Sequence, residues 1–440
     1  MKTLRFFAAG IVVFGITLGI FLLLHEPDQT DLPSSFEKSP PSPIAPTAAP
    51  ESKVPDSPPI PLETPPPNPP RPSFSRTFPL SETDERDPEL FDPPKRRDIG
   101  VAPTRLTDSR PFVKWAVSLG GNASGALVAS GECVYAACHD RQLVTFQKDT
   151  GDVVFRKKLW ASPVAIPALN GETLIVPQKD GHVMTFDKKT GECRWNYETG
   201  LDSAAGANAI RVYGAAATPR RIYVSTHGGD ILFLDVASSN LSRVLSLSPN
   251  PLCGAPLLQD AYLFACDSAG QIHRCNTSGQ KMGSFALPDG HATAMKIWDR
   301  QLVVATSGKT ALARDAVSLN VSWSWPTAGW SFDGLAMENG VGYLAAGSLY
   351  AVRLADGAVL WEAPSPGKFG FCRGAPVVSG NLLYAAEEEG LLHKINRHTG
   401  RILKTFTLGA PIRCGIAASG PMVYVATTDK KLLAVDTAKE

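Results

Sequence analysis

The 440-residue chain is nearly neutral, with a formal net charge of +1, so it lacks the field that would draw in nucleic acid or an anionic membrane surface. Nucleic acid is therefore not an expected partner. Eight cysteines are present, but none falls in the close CxxC pairing of a zinc site or a thioredoxin-like centre. Their spacing fixes no connectivity and leaves bridged and free states both open. A nucleophile elbow, a phosphate loop and an HExxH motif are also missing. No catalytic residue, no metal and no cofactor is assigned on these grounds. What the chain has in quantity is glycine (38) and proline (37), which suits short strands joined by tight turns.

The first 25 residues read as a cytoplasmic stub and a transmembrane signal anchor. Lys2 and Arg5 precede an uncharged run from Phe6 to Leu24, which as a helix spans about 28 Å against a hydrocarbon core of about 30 Å. Glu26, Asp28 and Asp31 follow it, so the positive-inside rule puts the N-terminus in the cytoplasm and the rest in the periplasm or outside the cell. A cleaved secretory signal is the competing reading, but Leu22-Leu23-Leu24-His25-Glu26 does not resemble its small-residue cleavage site. No cysteine precedes Cys133, which disfavours a lipoprotein. Residues 26–109 are dominated by Pro, Ser, Ala and Glu, with Pro40-Pro41, Pro58-Pro59 and Pro65-Pro66-Pro67. This composition predicts a disordered, semi-rigid stalk gaining up to ~3.1 Å per residue. Proline clusters also serve as ligands of polyproline-binding domains, a use found mainly in the cytosol.

From residue 110 to 440 the chain repeats. Residues 131–151 align without a gap to residues 171–191, sharing Gly, Glu, Asp, Thr, Phe, Lys, Thr and Gly. Each unit is a set of short apolar runs separated by polar turns, which reads as antiparallel strands joined by hairpins. One central residue per unit, Tyr135, Ile175, Tyr223, Leu263, Val303, Tyr343, Tyr384 and Tyr424, gives steps of 40, 48, 40, 40, 40, 41 and 40 residues. A four-stranded unit of this size cannot bury both faces alone, and radial repetition gives an all-β propeller, here of eight blades. The last unit lacks an outer strand and Phe112–Leu119 is a spare one, so the N-terminal strand is expected to complete the last blade.

The segment Phe186-Asp187-Lys188-Lys189-Thr190-Gly191-Glu192-Cys193-Arg194-Trp195 resembles the PQQ-like (quinoprotein-type) repeat. Leu354 to Trp361 and Asn396 to Gly400 are similar, whereas the third to fifth units lose the Thr-Gly turn. The resemblance implies that the motif's Trp residues dock between blades, here Trp115, Trp195, Trp325 and Trp361. Among families with such repeats, the non-enzymatic outer-membrane assembly factor B family is similar in domain size and blade count, which implies a protein-binding scaffold, monomeric in its propeller, with a protein partner in the cell envelope. The alternative the resemblance allows is a PQQ-dependent alcohol or sugar dehydrogenase using quinone and calcium. That alternative lacks the adjacent Cys-Cys pair and the long inserts usual in such enzymes. A carbohydrate-binding surface module is the third reading.

Two features mark a candidate binding surface. The single step of 48 places extra residues in Asp202–Ala217, where Asn208, Arg211 and Tyr213 are candidates, with a neutral insertion as the plain alternative. Cys253, Cys372 and Cys414 recur near the starts of innermost strands, with Arg373 and Arg413 beside two of them and Trp330 near the matching place in another blade. These would line one mouth of the channel and bind a peptide or an anionic glycan, or be solvated Arg beside structural Cys. His139, His182, His227, His273 and His393, with Asp140, Asp180, Asp230 and Glu387 to Glu389, read as solvated rim groups of separate hairpins.

Overall fold

A computed structural model describes residues 102–125, 127–165, 167–199, 212–331, 334–366 and 374–439. The expected anchor at residues 1–25 and nearly all of the expected stalk lie outside them. Among the described residues there are 33 strands, and no helix is long and apolar enough to cross a membrane.

The strands form eight antiparallel sheets. Numbered in chain order, the blades run Val128–Lys158, Ala168–Glu198, Val212–Ser246, Leu252–Ala286, Ala292–Pro326, Leu335–Ala363, Val377–Thr407 and Ala417–Asp436. Each of the first seven is a four-stranded meander. The eighth borrows its outer strand from the start of the propeller. Strand β2 (Val113–Ser118) pairs with Lys431–Asp436, with Ala116 opposite Leu433 and Ser118 opposite Lys431. Strand β1 (Thr104–Leu106), within the stretch expected to be stalk, adds a fifth strand outside β2.

The core shows why the sheets close into a ring. Eight separate apolar clusters exist, and each joins one neighbouring pair of blades. The cluster of Trp115, Val134, Phe146, Tyr424 and Leu432 joins the eighth blade to the first. The central strand of each blade is buried on both sides, and Tyr135, Tyr223, Tyr384 and Tyr424 are among the largest fully buried side chains. Sheet faces that one blade cannot cover alone are thus covered by the next.

Every outer strand carries a bulge at the same place. The first residue after it is Trp115, Phe155, Trp195, Arg243, Gly283, Trp323, Trp361 or Lys404 in successive blades, starting from the eighth. A bulge re-aims the next side chain, and here it aims Trp115, Phe155, Trp323 and Trp361 over Gly151, Gly191, Gly357 and Gly400 of the following blade. Three indoles also donate across the gap: Trp115 Nε1 to Lys148 O at 2.8 Å, Trp323 Nε1 to Leu354 O at 2.9 Å and Trp361 Nε1 to Arg397 O at 2.9 Å. In the fifth blade this place belongs to Trp323 rather than Trp325, because the bulge sets the phase of the strand. Trp325, two residues on, packs on Tyr350 of the same neighbouring blade at 5.0 Å, with its own Nε1 buried and unbonded. Trp195 is buried in the cluster joining the second and third blades.

Candidate functional site

The meander puts the turn between second and third strands, and the connector to the next blade, at one end of every blade. This is the connector face. Its eight turns each hold one residue in the left-handed region: Arg141, Gly181, Gly229, Gly270, Lys309, Gly347, Gly390 and Lys430. In seven blades the carbonyl of that residue accepts the N–H of the first connector residue, as in Leu159 to Arg141 at 2.9 Å and Leu408 to Gly390 at 2.8 Å. The connectors are therefore clamped to the scaffold, which suits recognition.

Acidic groups reinforce the clamps. Ser248 Oγ of a connector donates to Asp267 Oδ2 at 2.6 Å, and His273 Nε2 lies 3.0 Å from the same oxygen. Burial pushes the Asp267 carboxyl up, but the bonds from His273, Ser248 and the Gln271 N–H outweigh it and hold the group below the usual range. Between the fourth and fifth blades, Asp289 accepts from Thr306 Oγ1 at 2.5 Å and Thr310 Oγ1 at 2.7 Å. Glu387 and His393 are fully buried, with Ser365 Oγ donating to Glu387 Oε1 at 2.5 Å. This corrects the reading as solvated rim groups for Glu387, His393 and Asp230, which are buried, whereas His139 and His227 are exposed as expected. Polarity alone does not reveal a group's cover. Among the described residues no three His, Cys, Asp or Glu side chains form a metal-binding group.

Two connectors carry exposed candidate residues on this face. Trp330 is 53 % exposed, and Lys309 Nζ of the adjoining turn lies 5.6 Å from its ring centroid. An exposed indole held beside a cation is unusual for a residue normally drawn into cores. Arg413, with a side chain 63 % exposed, donates Nε to Glu388 Oε1 at 2.8 Å. Composition and spacing gave no sign of Lys309 or Glu388 as partners. Asn208, Arg211 and Arg373 lie outside the described residues, as does the side chain of Tyr213, whose backbone opens the innermost strand of the third blade. Cys253 and Cys414 are described, each with a free thiol, and Cys372 is not.

A small cavity between the fifth and sixth blades is lined by Val303, Trp323, Trp325, Leu335, Leu344 and other apolar groups. It offers no acid, base or nucleophile for chemistry.

The family model described as outer membrane protein assembly factor BamB matches residues 112–255 and 345–439, together more than half of the chain. The chain belongs to this BamB-like PQQ-repeat family. The assembly factor BamB of Bordetella pertussis is 23 % identical over 338 residues, covering 71 % of this chain and 84 % of that protein. Two crystal structures share the fold. BamB from Moraxella catarrhalis has a TM-score of 0.58 at 15 % identity, with 76 % of this chain and 97 % of that chain covered. The computationally designed Ika8 protein has a TM-score of 0.64 at 16 % identity, with coverages of 72 % and 98 %. The arc between the matched BamB segments, residues 256–344, holds most of the fourth blade, the whole of the fifth and the start of the sixth. The exposed Trp330 belongs to that arc, whereas Arg413 lies within a matched segment.

Proposed function

We propose that this protein is a non-enzymatic, membrane-tethered scaffold whose connector face binds a protein partner in an envelope assembly. The N-terminal segment would anchor it as a single pass in the inner membrane, with the N-terminus cytoplasmic. The proline-rich stretch would then hold a monomeric propeller out in the periplasm or beyond. Membership of the BamB-like family supports a protein-binding role, since the relatives are named as assembly factors. The observation that carries the choice of face is Trp330, exposed and set against Lys309 on a clamped connector. Exposed Trp and Arg on a rigid frame are the residue types that dominate binding energy at protein interfaces.

The test uses the full chain in its own membrane. A photo-crosslinker placed at position 330 or 413 should label the same partner. One placed at Val154, an exposed bulge residue on the outer rim, should not. Trp330→Ala and Arg413→Ala should each weaken that partner's binding about tenfold, or about 1.4 kcal/mol. Equal labelling from all three positions would overturn the assignment of the face. Turnover of alcohols or aldose sugars by the purified chain with PQQ and Ca²⁺ would overturn the scaffold reading itself.

A further inference from the structure

The fourth blade carries two cysteines that the topology places directly across from each other. Cys253 lies at the connector end of the innermost strand, Leu252–Gln259, and Cys266 near the end of the next, Tyr262–Asp267; the two are register partners. Directly opposed residues of an antiparallel pair point to the same sheet face, with Cα atoms about 4.5–5.5 Å apart. A disulfide takes Cα separations of about 4.4–6.8 Å. The shared face is the one toward the fifth blade. Cys266 packs there with Phe264, Ile272 and Ala292, and its Sγ accepts the Ala292 N–H at 3.3 Å. Leu252, the preceding residue on the innermost strand, belongs instead to the cluster on the opposite face.

The two thiols differ in access. Cys266 is fully buried, whereas Cys253 is partly exposed. Burial raises the pKa of both; Asp267 adds to the rise at Cys253, and the Ala292 N–H opposes it at Cys266. The surroundings are crowded with interblade bonds. Ser225 Oγ of the third blade donates to Gly254 O at 2.6 Å, next to Cys253, and Ser248 donates to Asp267, next to Cys266. A covalent bond here would join the two inner strands where the connector between the third and fourth blades is held.

We propose that Cys253 and Cys266 form a thiol–disulfide exchange site, closed by a disulfide-bearing oxidant. The Cys253 thiolate attacks the oxidant's S–S bond, forming a mixed disulfide and releasing one thiolate of the oxidant. The Cys266 thiolate then attacks Cys253 Sγ, closing the cross-strand disulfide and releasing the second. Two protein thiols are oxidised, one disulfide is reduced to two thiols, and both protons leave with those thiols. Cys253 is the reachable thiol and Cys266 the resolving one. This holds whether or not the connector face binds a partner, because it needs only exposure to an oxidant.

The sequence makes the test clean. Arg243 and Arg274 bracket a tryptic peptide, residues 244–274, that contains these two cysteines and no other. The folded full chain is equilibrated with reduced and oxidised glutathione, alkylated, digested and weighed. A second arm replaces glutathione with a purified thioredoxin-fold oxidase in its disulfide form, which separates a small-molecule source from a protein one. The expected product is the unalkylated peptide lacking two hydrogens. Its ratio to the doubly alkylated form should change about tenfold for each ~30 mV in the poise, as a two-electron couple requires. At a fixed glutathione ratio, dilution should favour the closed disulfide, whereas a mixed disulfide would not respond. Cys266→Ser should instead trap glutathione on Cys253, and Cys253→Ser should leave residue 266 as a thiol. A doubly alkylated peptide in both arms would overturn the proposal, as would stable glutathionylation of Cys253 in the unaltered chain. Because the readout is chemical, neither result depends on the partner assay.

Discussion

At the junction of the eighth and first blades, the indole of Trp115 lies over Gly151. At the junction of the fourth and fifth, the equivalent positions are Gly283 and Leu319, with Leu319 Cδ1 3.2 Å from where a Cβ on Gly283 would be. The first pair belongs to a segment matched by the BamB family model and the second to the unmatched arc. Large-over-small has become small-over-large, and the gap is filled either way. The backbone is the same in both: Gly151 and Leu319 each hold the left-handed conformation, with φ of 76° and 63°. Ser239 and Gly279 hold it at the same turn in the third and fourth blades, with φ of 57° and 85°. The Thr-Gly spelling is lost from these units, but the turn is not. The repeat is therefore a constraint on shape and complementary volume, and residue identity follows only where one solution is kept.

The sharpest way to break the comparison is to empty the regular junction. Trp115→Ala removes a side chain that is 4 % exposed, together with its bond to Lys148 O, at the place where β2 closes the ring. A loss of about 3–5 kcal/mol is expected in urea unfolding. Overfilling the same junction comes next. In Gly151→Ala the new Cβ would sit 2.6 Å from Trp115 Cδ2, on a backbone at φ 76°. About 2–4 kcal/mol should be lost through strain and overpacking together. Gly131→Ala isolates the backbone part, because that glycine has φ of 55° and nothing within 4 Å. It should cost only about 1 kcal/mol. Equal losses at the two glycines would show that the indole can move aside and that the junction is not filled as described.

The inverted junction predicts a coupling. Gly283→Ala should destabilise by about 1–2 kcal/mol, since its φ is 153° and Leu319 stands over it. Leu319→Gly should change stability by less than about 1 kcal/mol, because relief of its left-handed backbone offsets lost contact. In the double variant part of the Gly283→Ala loss should be recovered, with a coupling of about 0.5–1 kcal/mol. Strict additivity would mean that the two positions do not share one space.

The blade count and the closing strand were legible because a step near 40 residues survives even where the motif has decayed. The docking side chain of the fifth blade was not, since Trp323 and Trp325 lie on one strand and only the bulge decides which follows it. A step of 40 from Gly283 would have found Trp323, but the glycine concealed the position. Strand β1 was hidden because three residues among prolines carry no periodicity; it is held by register with β2 and by Arg105, whose guanidinium donates to Thr150 O at 3.0 Å. Of the candidate site, Trp330 and Arg413 could be picked out as residue types near equivalent strands. Their partners Lys309 and Glu388 come from turns far from them in residue number, and no local pattern announces such contacts. The pairing of Cys253 with Cys266 likewise needs the register, which a bulge shifts immediately after Cys253.

The smallest expected effect separates the two chemical forms of the outer turn. In the second, third and fifth blades an aspartate closes that turn: Asp187 Oδ1 accepts from Lys189 N and Thr190 N, and Asp235 and Asp315 bond their turns likewise. Asn396 does the same in the seventh blade without a charge. The backbone N–H of Thr190, Ser238 and Ser318 in turn is the largest cause holding each aspartate below the usual carboxylate range. A pKa lower in the folded than in the unfolded chain means stability fully present above the unfolded value of about 3.9 and lost as pH falls through the folded one. Replacing all three aspartates with asparagine keeps the acceptor oxygen and removes the titration. Unfolding followed from pH 6 downward should therefore show a shallower decline below about pH 4 in the triple variant than in the unaltered chain. These turns face solvent, so the difference is expected to be modest. Parallel curves would mean that these carboxylates titrate alike in the folded and unfolded chains.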